Sequence, residues 1–183
     1  MANILVAGAI AGEVCITGIK YPSVQGDSAI VNILKNCGAD VKIENDCIKV
    51  EKSHLHSFKY DATHTPDLVP ALTALAIHCE GESEISGIER LRNKESSRAE
   101  VLVKEFSKIG GNINIKGNKL MISKSKLISG KTNSHNDHRI AMALTVTALA
   151  CENATIEIQG AECVNKSYAN FFEDIKKIGG QII

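Results

Sequence analysis

The 183-residue chain has no tryptophan, few aromatics, three prolines and no excess of either charge, since 21 lysines and arginines face 21 aspartates and glutamates. The scarcity of aromatic rings argues against a surface that holds bases or sugars by stacking. Balanced charge argues against a nucleic-acid partner, whose footprint is a basic excess on one face. No C-x-x-C pair occurs and the six histidines are mostly dispersed, so neither a metal site nor a cofactor is expected. Only His135 and His138 were singled out as a close pair, and they lack partners at ligand spacing. The apolar stretch Ile4–Ile10 has no basic leader and is far too short to span a bilayer, which excludes a membrane partner on this reading. The six cysteines (Cys15, Cys37, Cys47, Cys79, Cys151, Cys163) are scattered, several within apolar runs where a free thiol behaves as a small hydrophobe. With no signal peptide, that usage predicts a reducing cytoplasm.

What the sequence does contain is a repeat. Gly18, Gly87 and Gly160 each close a strand-like run, at separations of 69 and 73 residues. Gly38, Gly110 and Gly179 each close the helix that follows, at separations of 72 and 69. A period near 70 residues suits a small α/β unit used three times. The middle copy reads most clearly, with a short strand at Phe58-Lys59-Tyr60 and a helix starting at Thr65-Pro66, proline being tolerated at the first helical position. Leu68, Leu72, Leu75 and Ala76 then recur at helical spacing to about Cys79, and a strand follows over Glu84–Ile88. A capping box, Ser97-x-x-Glu100, opens a second helix with Leu102, Phe106 and Ile109 on one face. A hairpin of Asn112–Lys116 and Lys119–Ser123 turns at Gly117-Asn118. The predicted class is therefore α/β (α+β), with β-α-β-α-β-β units over about 1–56, 57–126 and 127–183, arranged around a pseudo-threefold axis. The first unit lacks its opening strand, so the chain is expected to be a piece of a longer protein and to leave an unpaired sheet edge.

Three cations sit where isolated helices reject them. Arg98, Arg139 and Lys166 fall at or near predicted helix starts, where a positive charge costs roughly 0.3–1 kcal/mol. The same ends present unpaired N–H groups to anions. The loops between strand and second helix (Lys20–Asp27, Glu89–Glu95 and Ala161–Lys166) occupy equivalent places, and Asn93-Lys94 and Asn165-Lys166 are the same dipeptide. A threefold arrangement would gather these loops at one end, around a small, multiply charged anion.

The segments Lys94-Glu95-Ser96-Ser97-Arg98, Asn136-Asp137-His138-Arg139-Ile140-Ala141-Met142-Ala143 and Pro66-Asp67-Leu68 together resemble the 3-phosphoshikimate 1-carboxyvinyltransferase (EPSP synthase) family, over essentially the whole chain. The match is to the C-terminal portion, so the resemblance implies an enolpyruvyl transferase-like lobe whose N-terminal partner lobe is absent. It also implies phosphoenolpyruvate and shikimate 3-phosphate as substrates, joined with release of phosphate on the route to aromatic amino acids. Carried over by motif, Arg98, Arg139 and Lys166 hold the carboxylate and phosphate of phosphoenolpyruvate, and Lys94 contacts the shikimate phosphate side. Asp67 accepts the proton of the shikimate 5-hydroxyl, Glu95 delivers a proton to the methylene carbon, and His138 lines the site. Arg90 stands where some members place an asparagine that touches shikimate 3-phosphate. Adding an alcohol across an enol carbon requires a base at the oxygen, an acid at the methylene, and positive charge to support phosphate departure. Two alternatives remain open at this point: a UDP-N-acetylglucosamine enolpyruvyl transferase, and a non-catalytic anion-binding module on the same scaffold.

Overall fold

The structure is a computed structural model, and it describes residues 1–19, 21–23, 25–44, 46–92 and 94–183. Lys20, Val24 and Asn93 of the loops singled out above lie outside the described residues. In chain order the first elements are α1 (Ala2–Ala11), β1 (Glu13–Thr17), α2 (Ala29–Asn36), β2 (Asp40–Glu44) and β3 (Cys47–Glu51). Next come β4 (Lys59–Asp61), α3 (Val69–Ala76), β5 (Glu82–Ser86), α4 (Arg98–Lys108), β6 (Asn112–Lys116) and β7 (Lys119–Ser123). The last are β8 (Gly130–Asn133), α5 (His138–Leu149), β9 (Ile156–Gln159) and α6 (Phe171–Lys177). Among the described residues, no helix is long and apolar enough to cross a membrane.

The strands form three separate sheets. The first has the order β1-β3-β2 and is antiparallel throughout. The second has the order β4-β5-β7-β6, with β4 parallel to β5 and the remaining pairs antiparallel. The third pairs β8 with β9 in parallel. Strand β5 thus has β4 on one side and β7 on the other, whereas β1 pairs only with β3 among the described residues.

Between the sheets, α1, α3 and α5 pack against one another. Their sequences dictate this place, because a helix that is apolar all round has no face to offer water. All eight residues of α3 are buried, as are Leu5–Ile10 of α1 and Ile140–Thr147 of α5. The hydroxyls of Thr73 and Thr145 bond back to the carbonyls of Val69 and Ala141 at 2.9 and 2.8 Å, which satisfies them in this dry setting. The outer helices carry an apolar stripe instead: Ile30, Val31, Ile33 and Leu34 are buried in α2, and Ala99, Val101, Leu102 and Phe106 in α4. The N-terminal ends of the central helices lie together. Asn3 of α1 reaches the sulfur of Met142 in α5 at 3.4 Å, and Arg139 of α5 reaches Asp67 just ahead of α3.

The hairpin appears at its expected residues, with Lys116 opposite Lys119 and Asn112 opposite Ser123. Gly18, Gly87 and Gly160 follow β1, β5 and β9 with φ of +76, +77 and +71°. A side chain at Gly87 would run into Thr63 as well as strain the backbone.

Several expectations are corrected. The middle strands sit at Lys59–Asp61 and Glu82–Ser86, because the left-handed turn at Gly87 stops the ladder and Ile88–Leu91 coils into a 3₁₀ turn. Helix α3 ends at Ala76, short of Cys79. Ser97 is the N-cap of α4 but makes no capping bond through its side chain, so the capping box does not form. Lys166 ends a 3₁₀ segment, Ala161–Lys166, five residues before α6 begins at Phe171, so it does not start a helix. Cys15 and Cys47 form a disulfide absent from the sequence reading, because the β1–β3 register sets them diagonally on one sheet face. Cys37, Cys79, Cys151 and Cys163 are free.

Candidate active site

The site grows from the first residues of α4 and α5 and the turn before α3. Arg98 is the first residue of α4, yet its side chain turns inward and is only 1% exposed. A buried guanidinium must have its donors met, and here two carboxylates meet them. Nε and Nη2 donate to Oδ2 and Oδ1 of Asp137 at 2.9 and 3.3 Å, and Nη1 donates to Oδ1 of Asp67 at 3.0 Å. Asp137, fully buried, also caps α5 by accepting the backbone N–H of Arg139 at 3.0 Å, and it accepts the Ser96 hydroxyl at 3.1 Å. The cation at the start of α4 is thus balanced by the acid at the start of α5.

Asp67 lies in the 3₁₀ turn Pro66–Leu68 and collects three cations. Besides Arg98, Lys94 Nζ lies 3.1 Å from Oδ1 and Arg139 Nη2 lies 3.3 Å from Oδ2, while Arg139 Nη1 donates to the Asp67 carbonyl at 3.1 Å. Burial pushes the Asp67 carboxyl up, but the Arg139 charge and the bonds from Lys94 and Arg98 outweigh it and hold the pKa below the ordinary aspartate value. Beside this cluster, His138 Nδ1 lies 3.0 Å from Oε2 of Glu95. Lys166 approaches from the 3₁₀ segment after β9 and donates to the carbonyl and side-chain oxygens of Asn136 at 3.0 and 2.7 Å. Exposed Arg90 points its Nη1 at the carbonyl of Thr63, 3.1 Å away.

The seven candidates therefore form one connected patch: Lys94, Arg98 and Arg139 on Asp67, Glu95 with His138, and Lys166 joined through Asn136 to Asp137. Positive charge exceeds negative around Asp67 and Asp137, as an anion site requires. The ligating atoms of Glu95, Asp137 and His138 lie within 4.8 Å of one another, as a metal trio would. Both Asp137 oxygens are already engaged by Arg98, however, which sets a guanidinium where a metal ion would need a free carboxylate. Sequence reasoning missed Asp137 as a site residue in its own right, although an aspartate directly before an apolar helical run is a cap signal. Asn136 and Ser96 left no comparable signal, because their partners are 30 and 41 residues away.

The fold is that of the enolpyruvyl transferases. An EPSP synthase from Acinetobacter baumannii superposes with a TM-score of 0.88 at 27% identity, over 98% of this chain and 45% of that one. The enolpyruvyl transferase NikO from Streptomyces tendae shares the fold, with a TM-score of 0.76 at 18% identity. The chain belongs to the EPSP synthase (3-phosphoshikimate 1-carboxyvinyltransferase) family, which it matches over residues 2–175. A 3-phosphoshikimate 1-carboxyvinyltransferase from Clostridium novyi is 41% identical over 99% of the chain, and one from Methanothrix thermoacetophila is 38% identical over 97%. The chain spans 42% of the length of each of these two relatives.

Proposed function

We propose that this chain is the C-terminal lobe of an enzyme that moves the carboxyvinyl group of phosphoenolpyruvate to the 5-hydroxyl of shikimate 3-phosphate, with release of phosphate. The observation that carries the reading is the convergence of Lys94, Arg98 and Arg139 on one carboxylate, with Lys166 close by. In this arrangement Asp67 occupies the place that an anionic substrate takes. Arg98 and Arg139 present planar forks suited to a carboxylate or phosphate, and Lys166 adds a movable point charge. Once such an anion draws the cations off, Asp67 regains basicity and accepts the hydroxyl proton of the acceptor. Glu95, paired with His138, supplies the proton to the methylene carbon. The cations then stabilise the tetrahedral intermediate and the departing phosphate.

The reading extends to architecture. We infer three β-α-β-α-β-β units about a pseudo-threefold axis, the first without its opening strand and the third without its hairpin. Support comes from the three central helices, the equivalent glycines after β1, β5 and β9, and the parallel pairs β4–β5 and β8–β9. The remaining cations and the bulk of the shikimate site belong to a separate N-terminal lobe, so the 183-residue chain alone is inactive. The same reading puts the protein in the cytoplasm, supported by the four free cysteines, with the Cys15–Cys47 pair as the exception.

The test is phosphate release from phosphoenolpyruvate plus shikimate 3-phosphate, by the purified chain alone and by the chain mixed with the separately expressed N-terminal lobe of a relative. Activity only in the mixture, abolished by Arg98→Gln, is the expected outcome. Turnover by the chain alone refutes the two-lobe reading. Use of UDP-N-acetylglucosamine in place of shikimate 3-phosphate refutes the acceptor assignment.

A further inference from the structure

Glu105 lies outside the patch described above, seven residues after Arg98 on α4, and it is fully buried. A carboxylate in that position needs its lone pairs filled, and only one of its partners is local. Lys108 Nζ approaches Oε2 at 2.6 Å from the next turn of the helix. The other two partners come from the end of β8 and the loop that follows it: the backbone N–H of Asn133 donates to Oε2 at 2.9 Å, and His135 Nε2 lies 2.8 Å from Oε1. Burial pushes the Glu105 carboxyl up, but the bonds from His135, Lys108 and Asn133 outweigh it, and the group stays ionised at neutral pH.

The loop that Glu105 holds has an unusual backbone. His135 and Asn136 follow one another at φ of +50 and +58°, a left-handed pair that is uncommon outside glycine, although histidine and asparagine adopt it more readily than most residues. Local bonds help, since Asn133 Oδ1 accepts His135 N–H at 2.6 Å and Ser134 Oγ accepts Asn136 N–H at 3.1 Å. Ser134 is itself tied to the carbonyl of Gly160 at 2.8 Å. From the second residue of the left-handed pair onward the loop delivers two groups to the site: Asn136, which receives Lys166, and Asp137, which receives Arg98 and caps the start of α5. Helix α4 therefore grips this loop at both ends, through Glu105 on Asn133 and His135, and through Arg98 on Asp137.

We propose that Glu105 is a positioning residue for the anion clamp, fixing the left-handed turn at His135–Asn136 and through it the places of Lys166, Arg98 and the start of α5. It touches no ligand. The inference deepens the functional reading above and rests on it. A glutamine in its place keeps the shape but removes the charge, and its amide group either faces the donors of Lys108 and Asn133 or forces the His135 ring into the accepting tautomer.

The test titrates phosphoenolpyruvate into the 183-residue chain, followed by amide NMR, for wild type, Glu105→Gln, His135→Ala and Lys108→Ala, with thermal unfolding of each. Folded Glu105→Gln is expected to bind about tenfold more weakly, with the Asn136, Asp137 and Lys166 signals displaced before ligand is added. His135→Ala, which removes one of the two loop anchors, is expected to lose less. Lys108→Ala, which removes only the exposed local partner, keeps wild-type affinity. A purely structural role would lower the unfolding temperature and leave affinity unchanged, and that result in folded Glu105→Gln overturns the proposal. If Glu105→Gln does not fold, wild-type affinity in His135→Ala overturns it instead. Absence of ligand-induced shifts at Arg98, Arg139 and Lys166 in the wild-type chain removes the clamp reading itself, an outcome distinct from a loss confined to the variants.

Discussion

Two carboxylates divide the site between them, and they are built for different work. Asp137 is wholly buried, bonded to Arg98 through both oxygens, and committed to the start of α5. Asp67 keeps a side chain 38% exposed, and its three cations arrive singly from three different elements. The first is a permanent counter-ion whose removal strands a buried guanidinium. On the function proposed above the second is exchangeable: the partly exposed Lys94 and Arg139 can turn to another anion, while buried Arg98 stays on Asp137. The function proposed above has an anionic substrate engage the Asp67 side of Arg98, while the Asp137 side holds the guanidinium still.

The sharpest way to break the comparison is to delete each acid in turn. Asp137→Ala is expected to cost about 3–5 kcal/mol of stability, the range for removing one partner of a buried ion pair. Urea unfolding measures it, and a loss no greater than that of Asp67→Asn would erase the distinction. Next in size is an acid effect remote from both carboxylates. Burial pushes the His78 imidazole, just beyond α3, down to about 4, only partly offset by the carbonyl of Thr147 in α5. Its folded pKa lies below the unfolded value near 6.5, so stability is complete above pH 6.5 and falls by about 3 kcal/mol as the pH drops to 4. Asp67, with its pKa lowered, contributes stability that disappears only below about pH 4. The two windows do not overlap, and His78→Gln is expected to flatten the upper one alone in unfolding curves taken between pH 4 and 7.

A smaller effect runs in the opposite direction. Asp67→Asn removes the internal competitor and is expected to tighten inorganic phosphate binding about fivefold, or about 1 kcal/mol, read by calorimetric or NMR titration. Equal or weaker binding would mean that Asp67 does not compete for the clamp. The smallest expected change is in the stability of Lys166→Gln, within about 0.5 kcal/mol for an exposed side chain, even as its phosphate affinity drops.

Much of this was legible in the sequence wherever the deciding contacts were short-range. The β6–β7 hairpin could be read because alternation and a Gly-Asn turn fix its register locally. Arg98 and Arg139 stood out because a cation at a helix start is a conflict visible in a few residues. The connections between those segments left no such trace. Ser97 looked like a capping residue, yet α4 opens without its side chain while Ser96 reaches Asp137 instead. The sequence puts Lys166 at or near a helix start, in Asn165-Lys166-Ser167-Tyr168, but the chain there coils into a 3₁₀ segment and α6 begins later. Glu105 offered nothing beyond an ordinary Glu–Lys pair at i,i+3, because the partners that define it lie at the end of β8 and on the loop after it, 28 and 30 residues away.

The three buried helices aim like poles at one spot, and that has a thermodynamic side. Repulsion among their first turns is offset by Asp67 before α3 and Asp137 at the start of α5, and an anion bound there, as the proposed function requires, would add to that relief. Occupancy and folding are then linked, and the melting temperature becomes a property of the buffer as well as of the chain, rising with free ligand as RT ln(1 + [L]/Kd). On the function proposed above, phosphate buffer would act as a ligand of this lobe.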